Sequence, residues 1–229
     1  MALSVTVHVL LCLAVVNTNA KNCPPLGSAA QFTVIAASSV SSTGFTVING
    51  NVAMSPSIAL TGFHARGVIN GVTTLGTGIA LQAQKDVTSA YNYLKHAPLT
   101  ARMTGVDLAG QILGPGVYKF NSAAGIDTPA GVLTLSGAGT YIFQVGSALM
   151  TSTDSRIRLV NGAKAGCIFW QVGSSATLGL NSVFVGNILA YASVMFSRGV
   201  TYNGSIYART AAVSFISDTV TPQKSCNVC

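Results

Sequence analysis

From Ile168 to Thr221 apolar and polar residues alternate in short bursts, and the whole pattern of bursts recurs. Segments 168–185 (IFWQVGSSATLGLNSVFV), 186–203 (GNILAYASVMFSRGVTYN) and 204–221 (GSIYARTAAVSFISDTVT) agree column by column. Trp170, Ile188 and Ile206 share one column, and Val172, Ala190 and Ala208 another. Ala176, Val194 and Ala212 form a third, and Leu178, Phe196 and Ser214 a fourth. The last column drifts: a one-residue shift puts Val213 and Phe215 in the inward rows instead. Gly186 and Gly204 recur at the same period. Upstream, Phe143-Gln144-Val145-Gly146-Ser147 matches Trp170-Gln171-Val172-Gly173-Ser174 at a longer spacing, which implies an inserted loop.

Alternation with period two is the signature of a strand with one face inward. A recurrence of about 18 residues suits three short strands joined by tight bends, the coil of a solenoid. Coils of this kind stack at the strand spacing of about 4.8 Å. One coil cannot bury its own inner face, so stacking supplies the core. The pattern therefore predicts a mainly β fold, a triangular β-helix (β-solenoid).

The earlier chain fits less regularly. Gln31 to Ser41 and Thr46 to Met54 read as strands broken by Gly and Asn. Leu113-Gly114-Pro115-Gly116 is a turn leading into a strand from Val117 to Phe120, and Gly131 to Val145 is two strands around Gly137-Ala138-Gly139. One segment changes period. Ala80, Ala83, Val87, Ala90, Tyr91 and Leu94 recur at three and four residues, the spacing of a helical face. A helix is expected at about 80–96, ending before Pro98, with its Val87/Tyr91/Leu94 stripe packed along one side of the solenoid.

Residues 1–20 (MALSVTVHVLLCLAVVNTNA) read as a signal peptide, although the segment before the apolar run holds His8 and no Lys or Arg. The run from Val5 to Val16 precedes Thr18 and Ala20, small residues suited to cleavage. It is shorter than the about 20 residues that span a bilayer. Residues 21–229 are then a single secreted domain, with no membrane attachment after cleavage. Only 7% of the chain is charged, against about 25% in a typical soluble domain, so the surface must consist mainly of small hydroxyls, amides and methyls. There is no Glu; the carboxylates are Asp86, Asp107, Asp127, Asp154 and Asp218. The net charge of +7 comes from dispersed Lys and Arg, with no basic run and no interleaved aromatics, which argues against nucleic acid.

Four cysteines follow the leader. Cys23 with Cys226 or Cys229 is a plausible end-to-end disulfide in an oxidising compartment. Cys167 lies in an apolar run and reads as a buried free thiol. Cys226-x-x-Cys229 lacks the second ligand pair that zinc requires. Asn203-Gly204-Ser205 is a glycosylation sequon at Asn203. No cofactor is expected. For catalysis, His64 and His96 have no nucleophile motif beside them. A glycosidase or polysaccharide lyase needs paired or clustered carboxylates, and these five Asp are dispersed in sequence, although stacked coils are able to gather them. A non-catalytic carbohydrate-binding or adhesive β-helix is a further alternative; its exposed aromatic rows are missing, because Phe169, Trp170, Phe184 and Phe196 fall in or beside apolar columns.

A set of blocks resembles one known family. Leu26-Gly27-Ser28-Ala29-Ala30-Gln31-Phe32-Thr33-Val34-Ile35-Ala36 resembles the opening "LG-A--F-ILA" of the microbial ice-binding proteins of snow moulds, sea-ice algae and cold-living bacteria. The blocks TVINGNVAMSP (46–56), DVTSAY (86–91), LGPGVY (113–118), YIFQV (141–145), NGAKA (161–165), IFWQV (168–172) and FVGNILA (184–190) follow in family order. The resemblance implies a right-handed β-helix with irregular coil order and a helix alongside. It also implies adsorption to ice through one flat face, thermal hysteresis, inhibition of ice recrystallisation and no catalysis, in a secreted monomer.

Alternation then nominates the face. With Ala176, Leu178, Val194 and Phe196 inward, Ser175, Thr177, Ser193, Met195 and Ser197 point out. The one-residue shift adds Ala212 and Ser214. An earlier coil adds Ala148, Met150 and Ser152, and the N-terminal region Ser39 and Ser41 around an inward Val40. Met195 departs from a pure Ser/Thr row, and Arg198 marks an edge. Small hydroxyls and methyls on a stiff backbone order water at low entropic cost. The competing reading is an ordinary solvated side.

Overall fold

A computed structural model describes residues 23–63, 66–223 and 226. The expected signal peptide (1–20), His64 and Cys229 lie outside the described residues. Among the described residues the fold is mainly β: three all-parallel sheets of nine, seven and eight strands and one long helix. Most turns of the chain contribute one strand to each sheet in succession; the turn through Ala101–Arg102 and Ile112–Leu113 gives none to the seven-stranded sheet.

The repeat seen in the sequence is the ladder register. Trp170 pairs with Ile188 and Ile188 with Ile206, each 18 positions on, while Phe143 pairs with Trp170 across a longer, looped coil. Val172–Ala190–Ala208 and Ala176–Val194 align likewise. The drifting columns are corrected by one residue: Val194 pairs with Val213, so Ala212 and Ser214 leave the inward rows and Val213 and Phe215 enter them. Gly204 explains its column. It has φ +149, and a Cβ there would overlap the carbonyl of Gly186 in the next coil.

Coil order departs from chain order. In the nine-stranded sheet the strands run Thr73–Leu75, Val52–Met54, Val34–Ala36, Ile206–Ala208, Asn187–Ala190, Ile168–Val172, Tyr141–Val145, Gly116–Phe120, Ala101–Arg102. The first coils are thus stacked on the last, with Val34 opposite Ile206. The helix α1 (Gly78–Lys95) carries the chain from one end of the stack back toward the other. Its 18 residues reach about 27 Å at 1.5 Å per residue, or five to six coil spacings of about 4.8 Å. The helix begins two residues before the expected position, where the Thr77 hydroxyl accepts a bond from the Ala80 N–H, and it ends at Lys95 with His96 as its cap.

Two cores follow from this arrangement. Inside the coils, Phe143 stacks on Trp170 at 3.9 Å, and the aromatic series continues through Phe184, Tyr202, Phe196 and Phe215. Outside the nine-stranded sheet, Ile35, Ala53, Leu189, Tyr207, Phe169, Ile142 and Val117 meet Ala80, Ala83, Val87, Ala90, Tyr91 and Leu94 of α1. The middle of that sheet is buried on both faces, which is why Tyr141–Val145 and Ile168–Val172 read as nearly continuous apolar runs. The Leu26-Gly27-Ser28 motif anchors α1: Ser28 N–H and hydroxyl both donate to the Asp86 carboxylate. These bonds, the Ser28 hydroxyl's foremost, hold the Asp86 pKa below its ordinary value.

Cys167 is not free. It is buried, as expected, and bonded to Cys226, which closes the C-terminal tail onto the start of the Ile168 strand. The pairing of Cys23 with Cys226 is therefore corrected; Cys23 is itself disulfide-bonded. Neither long separation along the chain nor an apolar neighbourhood reveals which sulfurs meet when the coil order is rearranged.

Candidate ice-contacting face

The three sheets expose different chemistry. The nine-stranded sheet is covered by α1. The eight-stranded sheet presents outward rows that include the exposed Arg156 and Arg158, with Thr201 and Thr219. Asn203 lies on this sheet, opposite Val185 and Thr221.

The seven-stranded sheet is different. Its strands run Ala124–Ile126, Leu149–Thr151, Ala176–Leu178, Val194–Phe196, Val213–Phe215, Ser39–Ser42, Ala59–Thr61. Their inward residues, such as Leu149, Ala176, Val194, Val213 and Val40, are buried. The register lines up one central outward row: Gly125, Met150, Thr177, Met195, Ser214, Ser41, Thr61. Beside it run Ala148, Ser175, Ser193, Ala212, Ser39 and Ala59, tied coil to coil by backbone bonds from Leu149, Ala176 and Val194. Neither row contains an ionisable side chain. On the other flank Ser152 and Ser197 stand with Ile216.

All twelve residues nominated from alternation (Ser39, Ser41, Ala148, Met150, Ser152, Ser175, Thr177, Ser193, Met195, Ser197, Ala212, Ser214) thus come to one side of the molecule, on this sheet or at its immediate edge. Sequence reasoning missed Ala59 and Thr61, which extend the rows at one end, and Gly125 at the other, where the glycine is buried beneath the Asp127 carboxylate. The signal for Ala59–Thr61 is a single short alternation about Leu60, too brief to separate from a loop. Met150 and Met195 are the most exposed large side chains of the central row, at 51% and 49%. Ser41 and Ser214 hydroxyls bond across adjacent coils at 3.3 Å, as do the Ser193 N–H and Ser175 hydroxyl. Arg198 sits in the turn toward the eight-stranded sheet, at the edge where it was expected.

Ionisable groups lie at the margins of this face and beyond it, Asp127 over the Gly125 end among them. Asp218, at the corner between the seven- and eight-stranded sheets, accepts bonds from Val200 and Ile216 N–H. Burial nevertheless raises its pKa to about 6. Coil stacking does bring two distant carboxylates together: Asp107 accepts from the N–H groups of Ala109 and Asp127 and from the Thr128 hydroxyl. Burial works to raise the Asp107 pKa, but these bonds outweigh it and hold it low; burial and the charge of Asp107 raise that of Asp127. The bonds of Asp107 are spent on fastening two turns. Among the described residues no group of three or more His, Cys, Asp or Glu could hold a metal, and no helix is long and apolar enough to cross a membrane.

The comparisons agree with this architecture. Residues 34–221 match the family model for ice-binding-like proteins. An ice-binding protein of Nostoc sp. (strain HG1) is 40% identical over 82% of this chain and 70% of its own length. Ice-binding protein K3-B1 of Typhula ishikariensis is 31% identical over 84% and 87%. In structure, the ice-binding protein of the Antarctic ascomycete Antarctomyces psychrotrophicus superposes with a TM-score of 0.82 at 40% identity, covering 87% of this chain and 98% of that one. An ice-binding protein from an Antarctic biological consortium gives 0.83 at 35%, covering 87% and 92%. A charge-poor parallel solenoid with its helix-backed sheet, matched over nearly its whole length in sequence and shape, makes this chain a member of the ice-binding-like protein family.

Proposed function

We propose that this protein adsorbs to ice through the outward face of the seven-stranded sheet, and that it thereby produces thermal hysteresis and slows recrystallisation. The observation that carries the reading is the pair of adjoining outward rows, about six coils long at about 4.8 Å spacing, built from Ser, Thr, Ala, Gly and Met without a charge. Ice is a planar periodic array of water. A rigid parallel ladder holds hydroxyls and methyls at fixed intervals, while strongly hydrated charges would compete for the water to be ordered. Once anchored, the protein makes the ice front bulge between attachment points, and curvature lowers the local freezing temperature. The other two sheets fit less well, one covered by α1 and the other bearing Arg156 and Arg158.

The remaining parts of the reading follow the same logic. The three sheets close a right-handed coil of triangular section, the hand favoured for parallel crossovers. Residues 1–20 are removed as a signal peptide; the protein is secreted and acts as a monomer, without cofactor, catalysis, nucleic-acid or membrane partner. A glycan at Asn203 would project from the eight-stranded sheet and leave the proposed ice face clear.

Thr177→Tyr tests the face. Thr177 lies mid-row between Met150 and Met195, and a ring there breaks flatness without touching the core. Hysteresis should fall several-fold with an unchanged melting transition. Thr201→Tyr, on the eight-stranded sheet, should leave hysteresis as in wild type. The reverse pattern would move the ice face to that sheet.

A further inference from the structure

A cleft of about 650 Å³ opens between the C-terminal half of α1 and the nine-stranded sheet. Its volume lies within the about 300–1,000 Å³ of small-molecule sites. Three cations line it: Lys95 from α1, Lys119 from the strand Gly116–Phe120, and Arg209 just beyond Ile206–Ala208. No carboxylate lines it, and none of the three cations forms an ion pair among the described residues. This is notable in a chain so poor in charge.

The floor of the cleft carries a second signal. Gln144 and Gln171 are register neighbours on adjacent coils. Gln144 donates to the Leu94 and Ala97 carbonyls at the end of α1. Gln171 is only 4% exposed, faces the cleft, and its amide has no hydrogen-bond partner among the described residues. Its amide end is not sealed away from the cleft, so it is free to bond a group that enters it. At the rim the Arg209 guanidinium lies over the Tyr91 ring, 4.3 Å from its centroid, and over that of the half-exposed Tyr191 at 5.4 Å, and its Nε–H donates to the Thr88 hydroxyl.

We propose that this cleft binds an anionic sugar unit, carboxylated or sulfated. The cations take the oxyanion, the Gln171 amide meets ring hydroxyls, and Tyr191 flanks the ring. The volume is too large for a bare oxyanion, and cations, an amide and an aromatic wall are what a charged pyranose asks for. The cleft lies on a different sheet from the proposed ice face, so a polysaccharide layer and ice can be held at the same time. The inference does not rest on the ice reading.

Calorimetric titration at low salt of the chain from Lys21 to Cys229 with three tetrasaccharides tests it: one of uronate, one sulfated, one neutral. At least one charged tetrasaccharide should bind, and the neutral one much more weakly; which charged probe binds identifies the source of the oxyanion. Lys119→Met and Gln171→Leu should each weaken binding about tenfold, with the melting transition and hysteresis retained. Lys164→Met, outside the cleft, should change nothing. Equal affinity for charged and neutral probes, or equal losses in all three variants, would overturn the proposal. So would the absence of binding by any probe to folded protein.

Discussion

At the scale of single residues, position in the ladder decides what each side chain does. Trp170 and Thr177 lie in one coil. Trp170 is fully buried, stacked on Phe143, and donates its ring N–H to the Val185 carbonyl; Thr177 faces out. Trp170→Ala should cost about 3–5 kcal/mol of stability, the usual range for emptying a large aromatic site, read by denaturant unfolding. Asp218 makes a pH-dependent contribution. Its native pKa of about 6 stands above the ordinary 3.8. The folded state therefore holds the proton more tightly than the unfolded one. Its contribution is fully present below about pH 4 and is lost as pH rises through 6. The unfolding midpoint should decline across that window in wild type, and the decline should vanish in Asp218→Asn; an identical slope in both proteins would assign it to other groups.

At the scale of elements, α1 is both lid and connector. Its apolar stripe is legible from three-and-four spacing, because a helix repeats its face within its own sequence. Leu94→Ala should cost about 2–5 kcal/mol and leave hysteresis per folded molecule unchanged, since Leu94 packs under the nine-stranded sheet. The inward and outward faces in 168–221 were equally legible from alternation. The drift at Ala212 and Val213 comes from one extra residue in the bend before them, which displaces the strand Val213–Phe215 by one position until the 18-residue spacing resumes at Thr201 and Thr219. Gly125 and Ala59–Thr61 escaped because strands of three residues carry too little alternation to be told from loops.

The whole molecule adds what no element contains. The Cys167–Cys226 bond ties positions 59 residues apart, a loop whose closure entropy amounts to about 4 kcal/mol as an upper value. The double variant Cys167→Ser/Cys226→Ser should melt several degrees lower, yet refold to ice-active protein, because the coil ladder does not depend on the bond. Loss of the fold in that variant would make the tail an essential cap. Ser41 beside Ser214, and hence a continuous outward surface across both ends of the chain, likewise exists only after the N-terminal coils dock on the C-terminal ones.

Local physics therefore reached as far as periodicity does. Burial of alternate residues, the 18-residue recurrence, the helical stripe and the scarcity of charge are properties of neighbours in the chain, and they were enough to specify a stacked β coil with a bare, hydroxyl-rich side. Coil order, cysteine partners, the approach of Asp107 to Asp127 and the cleft beneath Tyr191 depend on which coil lies against which. Every coil offers the same parallel edge to a neighbour, so the sequence pattern alone leaves that choice open. The tertiary structure decides it through α1, whose length and docking carry the chain from one end of the stack back toward the other.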